Sequence, residues 1–172
     1  VMMTSFTRYV VAFSFLRTAM GTQQAPPNMV LVGMALVLTL FTMAPTLGSI
    51  KEDAFDPYTE GEITQEEFYQ AAQVPLKDYM LRQTEIPSMA LYCEMAGEPV
   101  PETEEEAAEL PLQVIMPAFV TSELKTAFEI GFLLYIPFML IDVIVSSTLM
   151  SMGMIMLPPA MISTPFKILL FI

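Results

Sequence analysis

Residues 143–166 read VIVSSTLMSMGMIMLPPAMISTPF without a single charged side chain, and residues 18–50, TAMGTQQAPPNMVLVGMALVLTLFTMAPTLGSI, are equally free of charge. Each run exceeds the roughly 20 residues a helix needs to cross the hydrocarbon core of a bilayer. These two stretches decide the class: an all-α membrane protein. The remaining sequence sorts itself around them.

The charges are concentrated between the two runs. Residues 51–109 hold 16 of the 19 acidic side chains and three of the seven basic ones, a local net charge of −13. The chain therefore divides into an N-terminal hydrophobic hairpin (1–50), an acidic helical insert (51–110) and a C-terminal hydrophobic hairpin (111–172). Such an acidic balance argues against nucleic-acid binding, since the phosphate backbone demands cations. Cys93 is the only cysteine, so no intrachain disulfide forms, and a small buried thiol is the expected role. Val1 opens directly into apolar sequence with no signal-peptide pattern, and the last apolar run stops abruptly; both ends suggest a piece of a longer chain.

Breakers and caps punctuate the arms. Arg8 and Arg17 are nine residues apart, on opposite sides of the first helix, so one face cannot hide both and contact with protein or an aqueous cavity is expected. GTQQAPPN at 21–28 interrupts the helix and joins it to an apolar helix over 29–47, with Pro45 near its end and Gly48 as its stop. In the insert, Thr64 and Glu67 form a capping box that starts a helix near Gln65. That helix should end near Pro75, where a second begins with Leu76, Tyr79, Met80 and Gln83 at helical spacing. Residues 98–109, EPVPETEEEAAE, are too charged to bury a core and read as a mobile loop. The second arm opens at Pro111, with TSEL at 121–124 as a cap, and Lys125 and Glu129 are placed to support each other. Gly131, Pro137 and Gly153 punctuate it, Pro137 implying a kink.

Few residues carry chemistry. Without histidine there is no His-based triad, metal site or proton relay, and no phosphate-binding GxxxxGKS loop occurs; an enzyme is not expected, nor a cofactor. Asp142, between PFMLI and VIVSS, is the one carboxylate deep in an apolar run, and it must face protein, water or a cation. It is either half of a structural ion pair or a proton or ion relay. The relay reading makes the chain a small-molecule or ion transporter built from broken helices. Glu123 and Lys125 lie about 200° apart on a helix and cannot pair, so Glu123 needs another cation, for which Lys167 is the candidate. That pair belongs either to one subunit or to an interface between identical ones. Met150, Met152, Met154 and Met156 cluster at a Gly and Pro break. Unbranched methionine suits a deformable seal as well as it suits gap filling.

Five motifs in order carry a family resemblance: MTSFTR (3–8), FLRTAMGTQQAPPN (15–28), TSELKTAFEIGF (121–132), PFMLID (137–142) and LPPAMISTPFK (157–167). Together they resemble the FliP family of flagellar export-gate proteins, called SctR in injectisomes. In the insert, the resemblance rests on position, acidity and PLKDYMLRQT (75–84). It implies about five copies assembled with FliR and FliQ into a right-handed spiral. FlhB and FlhA would be neighbours in the export apparatus, in the bacterial inner membrane at the flagellar basal body, in contact with lipid. The pore would pass unfolded rod, hook and filament proteins. The insert would be periplasmic. The family's methionine gasket falls on Met154, Ile155 and Met156, with a stiffer β-branched residue in the middle. Its intersubunit ion pair falls on Glu123 and Lys167, and Asp142 matches a carboxylate needed for assembly or export.

Overall fold

A computed structural model describes residues 1–22, 24–154 and 156–172, and every regular element among them is helical. In order these are α1 (Phe6–Ala19), α2 (Asn28–Ile50), a π-helical turn (Lys51–Phe55), α3 (Asp56–Thr59), α4 (Gln65–Gln83), α5 (Ile86–Ala96), α6 (Glu104–Glu109), α7 (Leu112–Ser151) and α8 (Pro159–Phe171). Two helical stretches are long and apolar enough to span a membrane, Asn28–Thr59 and Leu112–Ser151. Only 22% and 17% of their most apolar windows are buried within the chain. The core helix of a soluble protein would hide most of that surface, so lipid or other subunits must cover it. On α2 the hidden residues, Leu31, Ala35, Thr39 and Met43, recur every fourth position, while Met29 and Phe41 are fully open. That is one narrow stripe against protein and a broad apolar remainder.

Several helices run past the breakers that were expected to stop them. Gly48 does not end α2: a glycine caps a helix by taking a left-handed conformation, and Gly48 does not, whereas Gly61 does, at φ 76°. The helical path continues through Pro45 and, by way of one wide π turn at Lys51–Phe55, into α3. Pro75 likewise lies inside α4 rather than between two helices. A proline removes one hydrogen bond, but Leu76, Tyr79 and Met80 beyond it are held by the core, and their packing outweighs that loss. The 98–109 segment is not all loop, since α6 forms with Thr103 as its N-cap and three glutamates in its first turn, where the helix dipole favours them. Lys77 donates to the carbonyls of Ala108 (3.3 Å) and Leu110 (2.9 Å) and satisfies the far end.

The chain forms two compact units, one of Val1–Arg8 with Leu36–Lys125 and one of Tyr9–Ala35 with Thr126–Ile172. The first is organised by a core of Met80, Met89, Cys93, Leu110, Val114, Ile115, Ala118 and Phe119, drawn from α4, α5, the C-cap of α6 and the start of α7. Tyr79 meets Phe119 edge-on, with ring centroids 6.0 Å apart. Cys93 is buried there, and desolvation, then the charge of Glu98, pushes its thiol pKa up, so it is an inert packing residue. In the second unit Phe15 stacks edge-on to Phe128 and also lies against Gly131. A Cβ at Gly131 would come within 2.6 Å of the Phe15 ring. Gly131 is therefore a close-approach residue inside an unbroken α7, not a break in it.

The Thr64–Glu67 capping box is present: the Thr64 hydroxyl accepts from the Glu67 N–H at 3.4 Å, and the Glu67 carboxylate accepts from the Thr64 N–H at 2.7 Å. The backbone bond first, then the Thr64 hydroxyl, holds the Glu67 pKa below the usual carboxylate value. A depressed folded pKa means the box is intact above the ordinary carboxylate range and is lost as pH falls through the lowered value. Thr64→Ala is expected to lower hydrogen-exchange protection in the first turn of α4 by about fivefold. In the wild type, protection there should drop at acid pH, a step that Glu67→Gln abolishes.

Candidate functional site

The polar groups that α7 carries into apolar surroundings need partners, and the fold supplies them from other helices. Ser122 and Glu123 are fully buried. The Arg8 guanidinium of α1 donates to Glu123 Oε1 at 2.5 Å and, from the same nitrogen, to Gln83 Oε1 at 3.0 Å. An ionised carboxylate without water is held only by such a charge partner. Glu123 Oε2, Arg8 Nε and Ser5 Oγ are buried without a hydrogen bond, so the cluster keeps unfilled capacity.

The neighbours of Glu123 point elsewhere, as a 100° step per residue requires. Lys125 Nζ reaches Glu85 Oε2 at 2.5 Å, and the hydroxyl of Thr121 shares a 2.9 Å hydrogen bond with Tyr92. TSEL is thus not the cap of its own helix, which starts at Leu112. Ser122 donates to Ala118 O at 2.9 Å and accepts the N–H of Glu85 at 3.0 Å. Glu85 is the N-cap residue of α5, so Ser122 supports the start of another helix.

In the second unit Lys167 of α8 donates to Asp142 Oδ2 at 2.6 Å. Asp142 lies on the α7 face marked by buried Phe138, Val145 and Leu149, and Lys167 on the α8 face marked by buried Ser163, one turn away. Gly21, at φ 75°, closes near Lys167 Nζ and Thr164 Oγ1, and Arg17 of α1 bonds Asn28 at the start of α2. Each arginine of the first helix therefore has its own partner, as two opposed faces demand.

The methionine segment follows directly. α7 stops in a Schellman closure, with Gly153 N–H to Met150 O at 3.1 Å and Met154 N–H to Leu149 O at 3.0 Å, Gly153 being left-handed at φ 76°. The turn projects Met150, Met152, Met154 and Met156 outward, Met152 69% and Met156 97% exposed. Ile155, the middle member of the expected gasket, lies outside the described residues.

Charge pairing within the chain differs from the expectation for Glu123 and supplies what was missing for Asp142. Glu123 takes Arg8, and Lys167 takes Asp142. The spacing of the two arginines shows that each needs a partner but not which group it meets, a carboxylate for Arg8 and the Asn28 amide oxygen for Arg17.

These motifs sit in a chain whose residues 1–172 all match the model of the FliP family. The chain belongs to the FliP family. It is 49% identical to the flagellar biosynthetic protein FliP of Bacillus subtilis (strain 168), across the whole chain and 76% of that protein. Against the protein of the same name from Aquifex aeolicus (strain VF5) the identity is 50%, across the whole chain and 72% of the relative. The Pectobacterium carotovorum protein is 48% identical over 99% of this chain and 65% of its own length. FliP-family membership and two membrane-length helices make the chain an inner-membrane component of the flagellar export apparatus. The family is one of structural export components, not enzymes.

Removing one member of a buried pair strands the other. Arg8→Ala should lower stability by about 3–5 kcal/mol, while Arg8→Met combined with Glu123→Leu should recover most of that loss. Thermal unfolding of the purified protein in detergent, with steady-state abundance in cells, measures both.

Proposed function

We propose that the chain is a pore-forming subunit of the flagellar protein-export gate, through which unfolded rod, hook and filament proteins cross the inner membrane. The observation that carries this reading is the methionine turn. Flexible thioether side chains stand open to their surroundings on a hydrogen-bonded Gly153 base, at the end of a membrane-length helix. Methionine bends around irregular shapes at low cost, so a ring of such turns closes on itself when empty and yields to a passing chain. Met154, Ile155 and Met156 form that gasket. Energy for transport comes from other components, and FlhA and FlhB are neighbours in the export apparatus.

In this reading about five copies assemble with FliR and FliQ into a right-handed spiral of helical hairpins, the 51–110 insert lying on the periplasmic side. The apolar surface left open on both spans supports repeated subunit or lipid contacts. Glu123 and Lys167 form an ion pair across neighbouring subunits. This rests on the motifs TSELKTAFEIGF and LPPAMISTPFK, and it requires Glu123, buried beside Arg8 in the separate chain, to become accessible on assembly. Asp142 holds Lys167 in the separate chain, which favours a structural role for that carboxylate over a relay.

The gate reading is tested by replacing Met154 and Met156 with glycine in the full-length protein, assembled with its partners and reconstituted in planar bilayers. Ion conductance in the absence of substrate should rise clearly above wild type; a bilayer that stays tight would make the chain a scaffold rather than a seal. The interface is tested separately in a Cys93→Ser background. Glu123→Cys on one tagged copy and Lys167→Cys on a differently tagged copy should give an oxidation-dependent heterodimer. Cross-linking confined to chains that carry both cysteines would place the pair within one subunit.

A further inference from the structure

We infer that the methionine turn at the end of α7 is a site of reversible oxidation, where peroxide-class oxidants convert the thioethers to sulfoxides and so open the seal. The opening rests on the gate reading above, whereas the modification rests on exposure and chemistry alone. Four thioethers fall within seven residues, at Met150, Met152, Met154 and Met156. Met150 is 68% exposed and Met154 48%, beside the equally open Met152 and the still more open Met156, while Met43, Met80 and Met89 are buried. The only thiol of the chain does not compete for the oxidant, because Cys93 is packed into the core of the first unit.

The chemistry needs nothing from the protein but access. The thioether sulfur attacks one oxygen of hydrogen peroxide, the O–O bond breaks, and the second oxygen leaves as water with the proton of the first. Sulfur gives up two electrons and keeps one oxygen. Susceptibility follows the exposure of each sulfur, so the turn reacts while the packed methionines are protected.

The local hydrogen bonds decide what a sulfoxide does there. Its oxygen is a polar acceptor and is costly to hold in a dry seal without a donor. The N–H groups of Met152, Gly153, Met154 and Leu157 are already given to the carbonyls of Thr148, Met150, Leu149 and Met154. The hydroxyls of Thr148 and Ser151 donate to the carbonyls of Val145 and Thr148, and Pro158 and Pro159 have no N–H to offer. Water is then the donor at hand. A flexible apolar side chain that closed the seal by bending becomes polar and draws water into it.

The test uses the full-length protein assembled with its partners, reconstituted in planar bilayers, with peptide mass spectrometry of the same preparation after dilute hydrogen peroxide. Met150, Met152, Met154 and Met156 should gain oxygen at least about tenfold faster than Met80 and Met89. Conductance without substrate should rise about threefold or more, and fall back when the two methionine sulfoxide reductases, one for each epimer, are added with a dithiol. With Met150→Leu, Met152→Leu, Met154→Leu and Met156→Leu combined, oxidant should add no further rise to whatever conductance that variant starts from. Met95→Leu, which removes an exposed methionine of the insert, should keep the full response. Oxidation of the turn no faster than that of Met80, an unchanged conductance once the turn is oxidised, a rise that persists in the quadruple variant or one lost in Met95→Leu would each overturn the inference. If glycine at 154 and 156 leaks while the oxidised wild type stays tight, this inference falls alone; if the glycine variant stays tight, the gate reading falls with it.

Discussion

A charge on an apolar helix has to meet its opposite before the helix can leave water, and three of the four charged residues on α7 show how. Each is met by a different element: Arg8 of α1 for Glu123, Glu85 at the start of α5 for Lys125, and Lys167 of α8 for Asp142. The effective cost of an unpaired ion in a low-dielectric setting is several kcal/mol, so the pairs that bury Glu123 and Lys167 each select one rotation of their helices among many that hydrophobic contact alone would allow. Within each unit the packing follows from this choice. Phe119 and Ile115 turn into the core once Glu123 faces Arg8, and Phe138, Val145 and Leu149 share the face that Asp142 presents to Lys167.

The same constraint separates what was readable in the sequence from what was not. The membrane class followed from length and apolarity, but the span Leu112–Ser151 does not coincide with the charge-free run 143–166, which the turn at Gly153 divides between α7 and α8. The Thr64–Glu67 box was equally direct, because both halves of a capping box lie within four residues. Helix ends were less accessible. Pro45, Gly48 and Pro75 are local signals, and the helical path runs through each one, at Pro75 with the core holding the residues beyond it. Gly131 was read as punctuation but is a point of contact, a distinction that depends on where Phe15 falls in three dimensions.

Charge partners were the least readable feature. Sequence shows which side chains cannot stay alone: Arg8, Arg17, Glu123 and Asp142 were all marked in this way. It does not show which of them meet, since α7 and α8 offer several acceptors and donors at similar sequence distances. Family membership came from ordered motifs rather than from any single residue, and it supplied a role that geometry alone would have left at an all-helical membrane protein.

Charge also shapes how copies of such a chain come together. Every insert carries the same strongly negative field, and exposed charges interact over about 8 Å at physiological ionic strength before salt screens them. Any such repulsion acts only at close approach, and the apolar surface left uncovered on the two spans is where burial is favourable. The consequence is a division of labour along one polypeptide. The spans present apolar surface for lipid or other subunits to cover, while the insert keeps its charge in water.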